Sequence, residues 1–102
     1  MSAVTEVVKV FTEIDNTRLM TAFFEEIFTP AESQDVALRW RLMTMLHRGI
    51  SQRQIASELG ISLCKITRGA KIIKNRRSAT RRLLDREFGE CHAKFRKKAI
   101  ST

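Results

Sequence analysis

Four residues near the middle of the chain have the types and the position to contact DNA. They are Leu63, Cys64, Lys65 and Thr67, at the start of a predicted helix. Where a turn joins two short helices in this arrangement, the start of the second helix enters the DNA major groove. Lysine and threonine side chains there can reach bases or phosphates. The group therefore indicates nucleic-acid recognition, provided that the surrounding elements hold it in place.

The surrounding residues follow the pattern of a helix-turn-helix over about residues 51–74. Ser51 with Gln54 predicts a capping box at the start of the first helix. Gly60 can adopt the left-handed conformation that ends this helix, and Ser62 is a candidate N-cap of the second. The apolar residues that can close over one another on the inner face are Ile55, Leu59, Ile61 and Ile66.

Charge is distributed unevenly along the chain, which has 102 residues and a net charge of +8. Residues 1–38 carry a net charge of −5, and residues 39–102 carry a net charge of +13. A run of charge is commonly just a solvated face. Here the basic part contains the predicted helix-turn-helix, and this coincidence favours a nucleic-acid partner.

Several other classes of protein are excluded or disfavoured by the sequence. No apolar stretch approaches the length of a membrane span, and the charged N-terminal residues are unlike a signal peptide. We expect a cytoplasmic protein with no membrane partner. Cys64 and Cys91 lack metal-ligand spacing and His47 and His92 complete no metal set, which predicts free thiols and no metal site. No catalytic set or phosphate loop is recognisable, so we expect neither enzyme activity nor a cofactor.

The periodicity predicts an all-α protein of about six helices. The predicted helices cover about residues 3–15, 19–28, 30–48, 52–59, 63–74 and 78–88. Thr29 with Glu32 forms a capping-box pattern around Pro30 at the start of the third helix. We expect a single helical domain over residues 1–89, followed by a flexible basic tail over residues 90–102.

Apolar residues predict where these helices are buried. Those of the long third helix form a stripe of Val36, Trp40, Met43 and Leu46, broadened by Leu38, Leu42 and Met45. In the last helix we expect Leu83, Leu84 and Phe88 to face inward. The first two helices carry more large apolar residues than a helix-turn-helix needs, which suggests burial against a second copy, although one compact monomeric core is an alternative.

From Thr29 to Lys74 the chain resembles the bacterial Trp repressor family. The resemblance rests on Thr29-Pro30, Arg39, Arg48-Gly49, Ser51-Gln52-Arg53, Glu58-Leu59-Gly60 and Ile66-Thr67-Arg68-Gly69. It implies an all-α, intertwined homodimer that binds double-stranded operator DNA and whose DNA-reading helices are positioned by bound L-tryptophan.

The resemblance also implies the residues that bind L-tryptophan. The indole ring would lie between Arg39 and Arg68, whose guanidinium planes can stack on an aromatic face. Thr29 would help to hold the carboxylate from the partner subunit, and Met43 would line an apolar part of the pocket. Gly69 matches the small residue that lets the ligand approach the backbone.

Ile72 departs from this pattern, because better-known members of the family carry there a serine that meets the ligand ammonium. An isoleucine cannot make this hydrogen bond, and an ammonium is unfavourable beside it. The ligand can therefore be L-tryptophan or a related indole acid that lacks the amino group.

Further DNA contacts follow from the resemblance. Gln52 and Arg53 open the first helix of the motif, and Arg53 is a candidate for bidentate contact with a guanine. Lys71 and Lys74 are expected to contact phosphates, which set the position of the protein on the duplex and not the sequence that it reads.

Three functions are consistent with these observations. The first is a corepressor-dependent repressor of tryptophan biosynthesis or uptake genes. The second is a ligand-independent helix-turn-helix regulator with the same fold. The third is an interaction module whose apolar first half docks a protein while its basic half binds RNA or acidic surfaces.

Overall fold

Residues 2–93 are described by the computed structural model, in which they form helices and no strand. The helices are α1 (Ala3–Glu13), α2 (Thr17–Ile27), α3 (Pro30–His47), α4 (Gln52–Leu59), α5 (Leu63–Lys74) and α6 (Ala79–Phe88). The all-α prediction with six helices is confirmed. No helix among residues 2–93 is both long and apolar enough to span a membrane.

The described chain divides between Val36 and Ala37 into two compact units. The sequence-based expectation of a single domain over residues 1–89 stays a prediction. The second unit contains the helix-turn-helix and most of the candidate site residues.

Helix α3 begins at the position that the sequence predicts, because its first turn is capped reciprocally. The backbone N–H of Glu32 donates to Thr29 Oγ1 at 3.1 Å, and the N–H of Thr29 donates to Glu32 Oε1 at 2.9 Å. Pro30 is the first residue of the helix, where its missing N–H is not needed. The predicted capping box is confirmed.

The first unit contains α1, α2 and the start of α3, and neither α1 nor α2 contains a buried residue. The rings of Phe11 and Phe23 meet edge-on with centroids 5.7 Å apart. Val4 and Leu19 nevertheless expose 70% and 57% of their surface. Two such short helices cannot cover all of their own apolar side chains, so a large apolar surface is left open in the single chain.

The second unit is built around one hydrophobic core to which four helices contribute. Its buried apolar residues are Leu42, Met45 and Leu46 of α3, Ile55 of α4, Ile66, Ala70 and Ile73 of α5, and Leu84 of α6. Because these residues are buried, they determine which face of each helix points outward.

Four residues that we expected to face inward are exposed. Val36, Trp40, Leu83 and Phe88 expose 38%, 44%, 44% and 58% of their surface. Helix α3 carries large apolar residues around its circumference, and the second unit covers only the side of Leu42, Met45 and Leu46. Trp40 and Phe88 lie near each other instead, with ring centroids 6.4 Å apart.

Three residues after α6 are docked on the second unit, and the flexible tail over residues 90–102 stays a prediction. Cys91 and Ala93 pack against the hydrophobic core, and the N–H of His92 donates to the carbonyl of His47 at 2.8 Å. Residues 91–93 are therefore part of the second unit. The basic residues of the predicted tail, from Lys94 onward, lie outside the described residues.

Candidate nucleic-acid interface

Helices α4 and α5 form the predicted helix-turn-helix. The N–H of Gln54 donates to Ser51 Oγ at 3.1 Å, which caps α4. The side chain of Gln54 does not return to Ser51, as a full capping box would require, but donates to Glu58 Oε1 at 3.0 Å. Gly60 ends α4 with φ of +63°, in the left-handed conformation that glycine adopts without strain.

The second helix of the motif is capped and anchored in the same way. The hydroxyl of Ser62 accepts a hydrogen bond from the N–H of Lys65 at 3.4 Å. Ile66 and Ile73 are fully buried, as is Ile55 on the preceding helix. Ile66 and Ile73 fix the orientation of α5 about its axis, because the face that carries them must stay in the core.

The opposite face of α5 is open. All four residues that the sequence places at the start of the reading helix, Leu63, Cys64, Lys65 and Thr67, are exposed. Cys64, Thr67, Lys71 and Lys74 follow one another at intervals of three or four residues, so they share one side of the helix. This side extends over the whole helix, which is about 18 Å long at 1.5 Å per residue.

The helix-turn-helix presents positive charge that no carboxylate in the described part of the chain neutralises. Arg53, Lys65, Arg68, Lys71 and Lys74 are exposed, and none of them forms an ion pair within residues 2–93. Gln52, next to Arg53 in the first turn of α4, is exposed as well. An unpaired cationic surface beside an exposed helix start is suited to a phosphate backbone.

Five of the six candidate ligand residues lie on two helices of the second unit. Arg39 and Met43 are one turn apart on α3, and Arg68 and Ile72 are one turn apart on α5. Both arginines are exposed, whereas Met43 and Ile72 are half-buried. Each helix therefore offers one guanidinium beside one apolar side chain.

The fifth of these residues, Gly69, is buried where α5 lies against α3. A Cβ atom at this position would be 3.1 Å from Leu46 Cδ1 and 3.3 Å from Leu42 Cδ2. Packing against these two leucine side chains therefore favours a small residue here, in addition to the ligand role that the resemblance implies. The sixth candidate, Thr29, belongs to the first unit, where its hydroxyl caps α3.

A polar network that sequence reasoning missed holds α3, α5 and α6 together. His47 is 1% exposed, and its Nε2 lies 2.7 Å from Asp85 Oδ1. Arg81 Nη1 donates to the carbonyl of Ile73 at 2.9 Å, and Arg81 Nε lies 3.7 Å from Asp85 Oδ2. One sign of this network can be read from the sequence. Asp85 is the only acidic residue between Leu59 and Arg86, in a part of the chain that is otherwise basic.

Comparisons with known proteins agree with the fold and the motif. The family described as Trp repressor protein matches residues 2–88. The chain is 41% identical over 64 residues to a Trp operon repressor homolog of Xylella fastidiosa, a match that covers 62% of this chain and 70% of the relative. It is 31% identical over 71 residues to a Trp operon repressor homolog of Chlamydia trachomatis, covering 65% of this chain and 76% of the relative. No solved structure matches significantly. Since the family match spans most of the chain, the protein belongs to the Trp repressor family.

Proposed function

We propose that this protein is a sequence-specific transcriptional repressor that binds operator DNA as a homodimer and uses L-tryptophan as its corepressor. The observation that carries the proposal is the open face of α5, which has unpaired positive charge and is oriented by buried Ile66 and Ile73. The relatives from Xylella and Chlamydia are named Trp operon repressor homologs. These names support the proposal that the protein regulates genes of tryptophan biosynthesis or uptake.

The DNA-binding residues divide into two roles. Base contacts come from the start of α5 and the first turn of α4, where the guanidinium of Arg53 can bond to a guanine through two nitrogens. The residues in this group are Gln52, Arg53, Leu63, Cys64, Lys65 and Thr67. Lys71 and Lys74 contact phosphates and so hold the protein in register without reading sequence.

A homodimer would cover the apolar surface of the first unit. Neither α1 nor α2 contains a buried residue, although α1 carries valine and phenylalanine and α2 carries leucine, methionine, phenylalanine and isoleucine. A second copy supplies a surface of the same chemistry, and a symmetric pair would also present two reading helices to two half-sites. Both considerations support the dimer.

L-tryptophan would bind beside α3 and α5, with its indole ring between the guanidinium planes of Arg39 and Arg68. Met43 and Ile72 supply apolar surface, Gly69 permits close approach, and Thr29 of the partner subunit would hold the carboxylate. Ligand binding there favours the spacing of the reading helices that fits two successive major grooves, which is a population shift.

Selection of duplexes from a random pool, with and without L-tryptophan, tests the proposal directly. We expect enrichment of a two-fold symmetric sequence that depends on L-tryptophan. L-phenylalanine is the control ligand. Recovery of no preferred sequence under either condition would contradict a sequence-specific repressor.

Thermal unfolding tests the corepressor separately from DNA. A ligand that binds only the folded protein stabilises it by about 2.7 kcal/mol at a hundred times its dissociation constant. We expect L-tryptophan to raise the melting temperature and L-phenylalanine to leave it unchanged. A shift with indole-3-propionate alone would identify an effector without the amino group.

A ligand-independent regulator is the second candidate, and Ile72 is the observation that favours it. Its half-buried side chain offers no acceptor for the ligand ammonium. The variant Arg68→Ala distinguishes the two candidates. It should abolish the effect of L-tryptophan on DNA binding in a corepressor-dependent protein, and it should have no ligand-linked effect in a ligand-independent one.

A further inference from the structure

The turn between α5 and α6 carries a concentration of positive charge that the reading helix does not account for. From Lys71 to Arg82 the chain contains six basic residues and no acidic residue. Arg76 and Arg77 lie in the turn, and Arg82 lies in α6. These three residues, which we call the basic turn, are all exposed.

No carboxylate among residues 2–93 forms an ion pair with the basic turn. Within residues 2–93, the ion pairs join carboxylates only to His47, Arg81 and Arg86. Asp85, the nearest acidic residue in sequence to Arg82, is already engaged with His47 and Arg81. Unpaired cations held close together repel one another and attract a polyanion.

The backbone under the basic turn is held in place by hydrogen bonds. Asn75 Oδ1 accepts from the N–H of Arg77 at 2.9 Å, and the Asn75 carbonyl accepts from the N–H of Ser78 at 3.0 Å. Arg81 joins this turn to α5, since its Nη1 donates to the Ile73 carbonyl at 2.9 Å. Arg81 is thus used internally, while Arg76 and Arg77 are presented to the outside on a fixed support.

The basic turn begins where α5 ends in the chain. The exposed side of α5 runs from Cys64 through Lys71 to Lys74, and Arg76 and Arg77 follow directly after the end of the helix. A duplex that lies along the lysines of α5 would have the basic turn at the C-terminal end of that helix. The same charge pattern could attract a single-stranded nucleic acid, but continuity with a major-groove helix favours duplex DNA.

We propose that the basic turn is a second DNA-contact element, which binds backbone phosphates flanking the base pairs that the start of α5 reads. The inference rests on the proposed DNA binding and adds a site outside the helix-turn-helix. Contacts of this kind strengthen binding to every sequence alike and carry no sequence preference.

The salt dependence of binding to a labelled mixed-sequence duplex tests the inference, with R76A/R77A as the variant. Each phosphate contact contributes about 0.9 to the slope of log affinity against log salt concentration. Two lost contacts lower the slope by about 1.8 per protomer. For the proposed homodimer, which loses four contacts, the slope falls by about 3.6, so between about 50 and 200 mM salt the affinity of the wild type should fall roughly 150-fold more than that of the variant.

Two further variants control for charge and for folding. K9A/R18A removes the same net charge from exposed positions in the first unit, and we expect it to keep the wild-type slope. R76K/R77K keeps the charge and should restore the slope. The inference would be overturned if the wild type and R76A/R77A had equal salt slopes, or if R76A/R77A and K9A/R18A lowered the slope equally. Either result would leave the proposed function standing. A wild type that binds no duplex would overturn the proposed function as well.

Discussion

His47 Nε2 lies 2.7 Å from Asp85 Oδ1, and this contact joins the last residue of α3 to the middle of α6. The imidazole is almost wholly buried, whereas the side chain of Asp85 is 41% exposed. Asp85 also lies near Arg81, which holds the carbonyl of Ile73 near the end of α5. The orientation of the proposed reading helix is therefore connected, through Arg81, to the polar contact between α3 and α6.

We expect Asp85→Ala to lower the free energy of unfolding by about 1–3 kcal/mol, because it leaves a buried imidazole without its partner. Urea-induced unfolding measures this change. Glu87→Ala on the same helix is the matched control and should change stability by less than about 0.5 kcal/mol. Equal losses in the two variants would show that the contact with His47 contributes nothing.

Gly49→Ala should destabilise the protein more than Gly60→Ala, although both glycines have positive φ. A Cβ atom at Gly49 would lie 2.5 Å from the carbonyl oxygen of His92, whereas one at Gly60 would meet nothing within 4 Å. Gly60→Ala should cost about 1–2 kcal/mol for the left-handed conformation alone. Thermal or urea unfolding of both variants gives the comparison.

The same Gly49→Ala variant should release residues 91–93 from the core, because the clash falls on the backbone of His92. The thiol of Cys91 is half-buried, so its reaction with a thiol reagent should then become faster. The exposed thiol of Cys64 would obscure this signal, and both proteins should therefore carry Cys64→Ser. An unchanged rate would mean that the segment stays docked.

Ile72→Ser should strengthen binding of L-tryptophan and leave binding of indole-3-propionate unchanged or weaker. The serine hydroxyl can accept a hydrogen bond from the ligand ammonium, and hydrogen bonds to charged groups contribute about 1.5–3 kcal/mol. Calorimetric titration with both ligands would show roughly a tenfold or greater change in their affinity ratio. Ile72→Val, which also shortens the side chain, should leave the ratio as it is.

Lys71→Ala and Arg53→Ala should weaken DNA binding in different ways. Loss of the Lys71 charge should reduce affinity for all duplexes alike and lower the salt slope by about 0.9 per protomer. Loss of Arg53 should cost about 1–3 kcal/mol at one base position and relax the preference there. Competition between a selected duplex and a mixed-sequence duplex separates these two effects. If both variants lost the same amount of sequence preference, the assigned roles would be contradicted.

Much of the local structure follows from residues that are close in sequence. The cap of Thr29 and Glu32, the caps at Ser51 and Ser62, and the turn at Gly60 each depend on neighbours within four positions. The six helices could therefore be predicted with bounds close to the observed ones. The exposed residues at the start of α5 could be predicted too, because burial of Ile66 leaves only the other face open.

The burial of α3 and α6 could not be predicted in the same way. Trp40 and Phe88 are as apolar as the core residues, and periodicity alone does not show how much of a helix surface its neighbours can cover. Only the arrangement of α5 against α3 decides that the side of Leu42 and Leu46 is buried.

What the sequence by itself determined is the set of helices, the helix-turn-helix and the division of charge, since these are read from local patterns. The tertiary structure decided the contact of His47 with Asp85, whose residues are 38 positions apart, and the docking of residues 91–93. It also decided that Arg81 is used inside the protein while Arg76 and Arg77 face outward. Such choices depend on which distant groups meet, and that depends on packing of the whole second unit.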